Sequence, residues 1–177
     1  CVLPGGTEQL PVGVKTEYIY TERLFLVAGK GMIREDMLVS AGGQRVRDAS
    51  NLLEDLPEVD LRLLRDLPFI IMKRGQYIRR QVDDIFRRFD FLPKEIMEVS
   101  SCISATQLAA SGLGVTLVPV RAIGPFQNPK GSVYNYGPTP DCWEVNAVYK
   151  ENVYLGEAER GLIETMQQVF EAESTTR

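Results

Sequence analysis

Apolar residues fall into short runs and helical stripes along this chain, and together they predict alternating strands and helices. Tyr18-Ile19-Tyr20 and then Leu24 to Ala28, closed by Gly29-Lys30-Gly31, read as extended strand running into a turn. Phe69-Ile70-Ile71-Met72 is a continuous apolar run of the kind covered on both sheet faces, ended by Lys73-Arg74-Gly75. Ile78, Val82, Ile85, Phe86 and Phe89 then recur at offsets of four, seven, eight and eleven, one face of a 3.6-residue helix. Arg79, Arg80, Asp83, Asp84, Arg87 and Arg88 are assigned to the opposite, solvent face, with Asp83–Arg87 and Asp84–Arg88 as i,i+4 ion pairs.

Further on, Glu95 to Val99 reads as strand, Ser100 or Ser101 as a helix N-cap, the Ala/Ser-rich segment to Ser111 as helix, Gly112 as its stop and Val115 to Val118 as strand. Joined in that order they predict a strand-helix-strand crossover between neighbouring parallel strands, and so an α/β fold. Between Ile33 and Asp66 the pattern is mixed. Ala41-Gly42-Gly43 reads as a loop, and the leucines at 52, 53 and 56 and at 61, 63 and 64 suggest two short helical turns. Turns at Asn128-Pro129-Lys130-Gly131 and Gly137-Pro138-Thr139-Pro140 flank a strand at Val133 to Tyr136, and Trp143 to Tyr149 alternates as another. A last helix carries Ala158, Leu162, Met166, Val169 and Phe170 as its expected buried stripe, with fraying from Glu171 to Arg177.

Composition then narrows the function classes. With 177 residues, 44% of them hydrophobic, the chain can build a core of one or two small domains. A net charge of −4 leaves no broad cationic surface for a phosphate backbone, so this chain alone is not expected to bind nucleic acid. It has no histidine, and Cys1, Cys102 and Cys142 lack a CxxC pair, which argues against a zinc site, a disulfide framework and a histidine-based triad; no metal or cofactor is expected. No stretch reaches the roughly 20 apolar residues that span a bilayer. No signal-peptide pattern opens the chain, so a cytoplasmic location is expected; the start at Cys1 itself suggests a cut from something longer.

In open α/β sheets, ligands collect beyond the carboxyl ends of parallel strands, where helix N-termini offer unpaired N–H groups. Two loops fit: Lys73-Arg74-Gly75-Gln76-Tyr77-Ile78 after the first parallel strand, and Ser100-Ser101-Cys102 after the second. If those strands are neighbours, the loops face a common site with backbone donors, hydroxyls, an amide and an aromatic ring, suited to a small, polar or anionic ligand. Each serine is equally readable as a plain N-cap. Cys102 reads as a small apolar wall rather than a redox sensor. A nucleophilic role for Ser100, Ser101 or Cys102 would need a base that the spacing does not supply, so no enzyme is expected.

Asp66-Leu67-Pro68-Phe69-Ile70, then Val99-Ser100-Ser101 and above all Ala109-Ala110-Ser111-Gly112-Leu113-Gly114-Val115-Thr116-Leu117-Val118-Pro119, resemble the effector-binding domain of LysR-type transcription regulators. Thr21-Glu22-Arg23-Leu24 and Trp143 to Lys150 resemble the strands that cross between its lobes. The resemblance implies a type II periplasmic-binding-protein fold, with one lobe from residues 1–28 and 143–177 and the other from 29–142. It also implies a first lobe lacking its opening strands and helices, and a longer insertion than usual between Arg34 and Asp66. Ligand-contact positions carry over to Gln76, Tyr77, Ile78, Ser100, Ser101 and Cys102, and more weakly to Val2, Leu3, Pro119 and Val120. The function implied is a sensor that binds a small-molecule effector between the lobes and works as a homodimer or homotetramer. DNA would be gripped only through an N-terminal winged helix-turn-helix absent here, with no membrane partner. Two alternatives stand beside it: a transport receptor for a solute, and a small-carboxylate enzyme on the same fold, for which Glu95 or Glu98 beside Ser100 would supply the acid or base.

Overall fold

The computed structural model describes residues 1–5, 11–40, 56–94, 96–123, 131–137 and 141–175. Its strands are β1 (Val2–Pro4), β2 (Val14–Gly29), β3 (Leu38–Ser40), β4 (Glu58–Val59), β5 (Phe69–Met72), β6 (Ile96–Val99), β7 (Val115–Pro119), β8 (Gly131–Tyr134) and β9 (Cys142–Lys150). Its helices are α1 (Tyr77–Arg88), α2 (Cys102–Ala110), α3 (Val120–Ile123) and α4 (Glu157–Thr175). The chain divides into two compact units, Cys1–Glu22 with Cys142–Arg177, and Arg23–Asp141. β2 contributes to both, because the two extended pieces expected at Tyr18–Tyr20 and Leu24–Ala28 are one uninterrupted strand.

In the larger unit, β2 pairs antiparallel with β7 on one edge and with β8 on the other. β5 then runs parallel to β7 and to β6, in register from Phe69 opposite Ile96 to Met72 opposite Val99. All four β5 residues are buried, as a continuous apolar run requires when helices cover both sheet faces. Phe69 meets Phe86 of α1 edge-on at 5.4 Å and Phe91 at 5.2 Å. Ile70 and Met72, on the other face, pack with Ala105 and Ala109 of α2 and with Val118. Small residues let α2 lie close to the sheet, and Gly112, at φ +85°, takes the left-handed conformation that ends the helix.

The strand-helix-strand crossover is present, but its strands are not neighbours. The order β7-β5-β6 shows that α2 carries the chain over β5 to reach β7. Sequence order alone does not reveal such a skip, since β5 entered the sheet earlier. Other differences lie between Ile33 and Asp66. Leu61–Leu64 is a single 3-10 turn, while Leu56 is buried in irregular chain. β3 and β4 form a small antiparallel ribbon that no periodicity announced. The Ala41-Gly42-Gly43 loop, Leu52, Leu53, Glu95, Asn128-Pro129-Lys130 and Pro138-Thr139-Pro140 lie outside the described residues.

The smaller unit pairs β1 antiparallel with β9, Val2 opposite Ala147, and β9 is bonded in turn to β2. Its core is Ile19, Ala147 and Ile163, flanked by Tyr20, Tyr149, Met166 and Phe170. α4 is therefore rotated from the expected face: Ile163 is buried, whereas Leu162 is 60% exposed and Val169 48% exposed. Polar groups explain the choice. With Ile163 inward, Arg160 and Gln167, three residues before it and four after, lie beside β2. There Arg160 pairs with the Glu17 carboxylate at 2.8 Å and Gln167 donates to the Tyr18 carbonyl at 2.8 Å. The helix continues to Thr175, past the expected start of fraying.

Candidate functional site

Because β5 and β6 are parallel neighbours, the loops that leave them emerge at the same edge of the larger unit, each running directly into a helix N-terminus. Residues 73–76 lead from β5 into α1, and residues 100–101 lead from β6 into α2. Three direct bonds tie the β5–α1 segment to the β6–α2 segment. The Lys73 backbone N–H donates to the Val99 carbonyl at 2.9 Å, the Gln76 side-chain amide donates to the Ser100 carbonyl at 2.9 Å, and Arg79 donates to Glu98 at 2.6 Å.

Each expected position has a definite place. Gln76 is the N-cap residue of α1 but caps nothing with its side chain, which is why its amide is free to reach Ser100. Tyr77 and Ile78 form the first turn of α1 and are half-buried. Burial raises the Tyr77 phenol above its ordinary pKa, opposed by the Arg80 guanidinium 5.6 Å from its ring. Ser101 is the N-cap of α2, accepting weakly from the Ser104 N–H at 3.4 Å, and Ser100 is exposed without that duty. Cys102 opens α2 as a half-buried thiol outside any disulfide and packs against the α2 core cluster. Pro119 ends β7 and Val120 begins α3, both half-buried and at the carboxyl end shared with β5 and β6. Val2 and Leu3 are exposed strand residues of the other unit.

Two assignments on α1 are corrected. Arg79 was set on the solvent face, yet it is only 6% exposed. It lies three residues before Val82 and seven before Phe86, so it flanks the buried stripe, and its guanidinium meets three acceptors. Nη1 donates to the Met72 carbonyl at 3.0 Å and to Glu98, and Nε donates to Asp83 at 2.9 Å. The bond to Glu98, more than that to Asp83, raises the Arg79 pKa further. The ion pairs also differ from those expected: Asp83 serves Arg79, Asp84 pairs with Arg87, and Arg88 reaches Asp141 at 2.5 Å. What sequence reasoning misses is the burial of Arg79 and its bond to Glu98, a residue it weighs only as an acid or base beside Ser100, since a helical wheel sorts charges outward whatever acceptors the sheet edge holds.

Positive potential at the loop pair comes from the two helix N-termini and from Lys73 and Arg74, both exposed and without an ion pair among the described residues. Gly75, at φ +93°, turns the backbone between them in a conformation that L side chains rarely adopt. Among the described residues no group of three or more His, Cys, Asp or Glu is set to hold a metal ion, and no helix is long and apolar enough to cross a membrane.

These features are those of a ligand-binding α/β module, and comparison with known proteins identifies its class. The LysR substrate binding domain family matches residues 5–171, so the chain belongs to that family. Its fold is the type II periplasmic-binding-protein-like fold, and it is the effector-binding part of a LysR-type regulator rather than a transport receptor. A stretch of 63 residues, 36% of this chain and 19% of its relative, is 38% identical to an uncharacterized HTH-type transcriptional regulator, YcgK, of Bacillus subtilis. The OxyR C206 mutant of Corynebacterium glutamicum is similar in structure with a TM-score of 0.69 at 22% identity, covering 98% of this chain and 48% of that one. The effector binding domain of BenM with its effector benzoate gives a TM-score of 0.67 at 20% identity, covering 99% of this chain and 72% of that one. The chain thus spans about half the length of the OxyR chain it matches.

Proposed function

We propose that this chain senses a small polar or anionic metabolite held by the loops 73–78 and 100–102, and that binding alters how a DNA-binding part of the same regulator grips its operator. The observation that carries the reading is the parallel β5–β6 pair, which aims two helix N-termini and the Gln76–Ser100 bridge at one spot. An anion there gains from both helix dipoles and from Lys73 and Arg74, and the benzoate of BenM is a carboxylate of that kind. In this reading Tyr77 and Ile78 supply apolar wall, Ser100 and Ser101 hydroxyls, and Cys102 a small thiol flank. Pro119 and Val120, at the carboxyl end shared with β5 and β6, remain weaker candidates.

The chain is a sensor and not an enzyme on this reading. Glu98, the carboxylate closest in sequence to Ser100 among the described residues, is engaged by Arg79 and does not serve as a base for a serine. The protein acts in the cytoplasm as a homodimer or homotetramer and touches DNA only through its regulator partner domain. Effector binding then works by population shift: a ligand that prefers one arrangement of the regulator moves the equilibrium by its differential affinity.

A thermal-shift screen with small carboxylates and phosphates tests the binding half. At a hundredfold excess over Kd a true effector stabilises by about 2.7 kcal/mol, or roughly 5–10 °C in a chain of this size. Operator footprints of the intact regulator with the same compound test the other half. A library that shifts neither melting nor footprint would overturn the reading.

A further inference from the structure

Arg79 is the buried cation of the larger unit whose three acceptors lie on three different elements: Met72 at the end of β5, Glu98 on β6 and Asp83 on α1 itself. Only a planar guanidinium fork serves acceptors spread in this way, and an ammonium on a flexible stem does not hold them in one geometry. The placement matters because of what surrounds it. Met72 immediately precedes the loop at 73–76, Glu98 lies one residue before Val99, and Gln76, which opens α1, is three residues before Arg79.

Among the described residues β6 is the outermost strand of its sheet, bonded only to β5, and Ile96, Met97 and Glu98 are all exposed. Little packing therefore holds this strand and the loop that follows it. The Lys73–Val99 and Gln76–Ser100 bonds lie in exposed loop, where water competes for both partners. Arg79 differs, since its side chain is sheltered and its charge fixes a partner on each side.

We infer that Arg79 is a positioning residue: it bolts the start of α1 to the ends of β5 and β6 and so fixes the spacing of the loops at 73–76 and 100–101. Its Nε and Nη1 donors are taken by Asp83, Met72 and Glu98, and at 6% exposure it lies behind the exposed Lys73 and Arg74. The assignment of an effector to these loops rests on the function proposed above, but the bolt itself does not. An anionic effector therefore meets Lys73, Arg74 and helix N–H groups rather than the buried guanidinium.

Native-state amide exchange of the intact protein, without any ligand, tests the bolt. In Arg79→Met the amides of Lys73, Gln76, Ser104 and Ala105 should exchange about tenfold to a hundredfold faster, while those of β2 and β7 rise only as far as urea unfolding shows global stability to fall. Arg79→Lys should recover only part of the protection, since it keeps the charge and loses the fork. If Arg79→Met does not fold, Glu98→Gln carries the test, with a smaller rise confined to the same amides and Asp83→Asn affecting them less. A uniform rise across the unit, no rise at the loops, or full recovery by lysine would overturn the inference. Failure of the effector reading would show instead as an unresponsive wild-type protein with the exchange pattern intact.

Discussion

Replacing Thr116 by valine should stabilise the protein, although it deletes a polar group without adding a contact partner. Thr116 is fully buried in β7, and its hydroxyl has no hydrogen-bond partner among the described residues. Alternation along the strand sets it on the same face as Val118, which packs with Ala105 and Ala109 of α2. An unpaired hydroxyl in such surroundings costs about 1–3 kcal/mol, and a methyl in its place regains about 0.8 kcal/mol of apolar burial. Slight overpacking can cancel up to ~1 kcal/mol of that gain. The net expectation is about 1–2 kcal/mol. Valine keeps the β-branch, so the backbone and its pairing with Val27 of β2 have no reason to move. With a urea m-value of about 2 kcal/mol per molar, the unfolding midpoint should rise by about 0.5–1 M with unchanged slope. A midpoint that stays put or falls would refute the reasoning, because the hydroxyl would then be satisfied by a partner or an enclosed water.

Two further outcomes follow from the smaller unit. The Tyr149 phenol, and after it the Arg160 guanidinium, donate to Glu17 and hold its carboxyl below the ordinary carboxylate range. A lowered folded-state pKa means that the associated stability is present above the unfolded value and fades as pH falls through the folded one. Unfolding midpoints measured on the acid side should therefore decline more steeply in the native protein than in Glu17→Gln. On α4, Ile163→Ala should cost about 2–5 kcal/mol, whereas Leu162→Ala, on the exposed side, should stay within about 0.5 kcal/mol, both read by urea unfolding.

How much of this was legible in sequence depends on how local each determinant is. The run Phe69–Met72 announced a strand covered on both faces because every residue in it is apolar, and the structure buries all four. The stop at Gly112 was visible because the left-handed turn demands a glycine. The two loops and their helix starts could be read for the same reason, and the pairing of β5 with β6 joined them. What escaped was relational. The skip over β5 depends on which strand already occupies the sheet, and the α4 face depends on Glu17 and the Tyr18 carbonyl, distant in sequence, favouring Arg160 and Gln167 over a purely apolar stripe. The buried state of Arg79 escaped as well, since a charge on a helix is read as solvated until Met72, Asp83 and Glu98 are seen to surround it.

The central claim is that the loops after β5 and β6 receive the effector, and a two-dimensional amide NMR titration tests it most directly. The ligand is whichever small carboxylate or phosphate raises the melting temperature most, added to isotope-labelled protein. The largest shifts should fall on Gly75, Gln76, Tyr77, Ser100, Ser101 and Cys102 and saturate with one Kd. Saturable shifts that instead map to the β3–β4 ribbon or to α4, and leave those six amides unmoved, would contradict it.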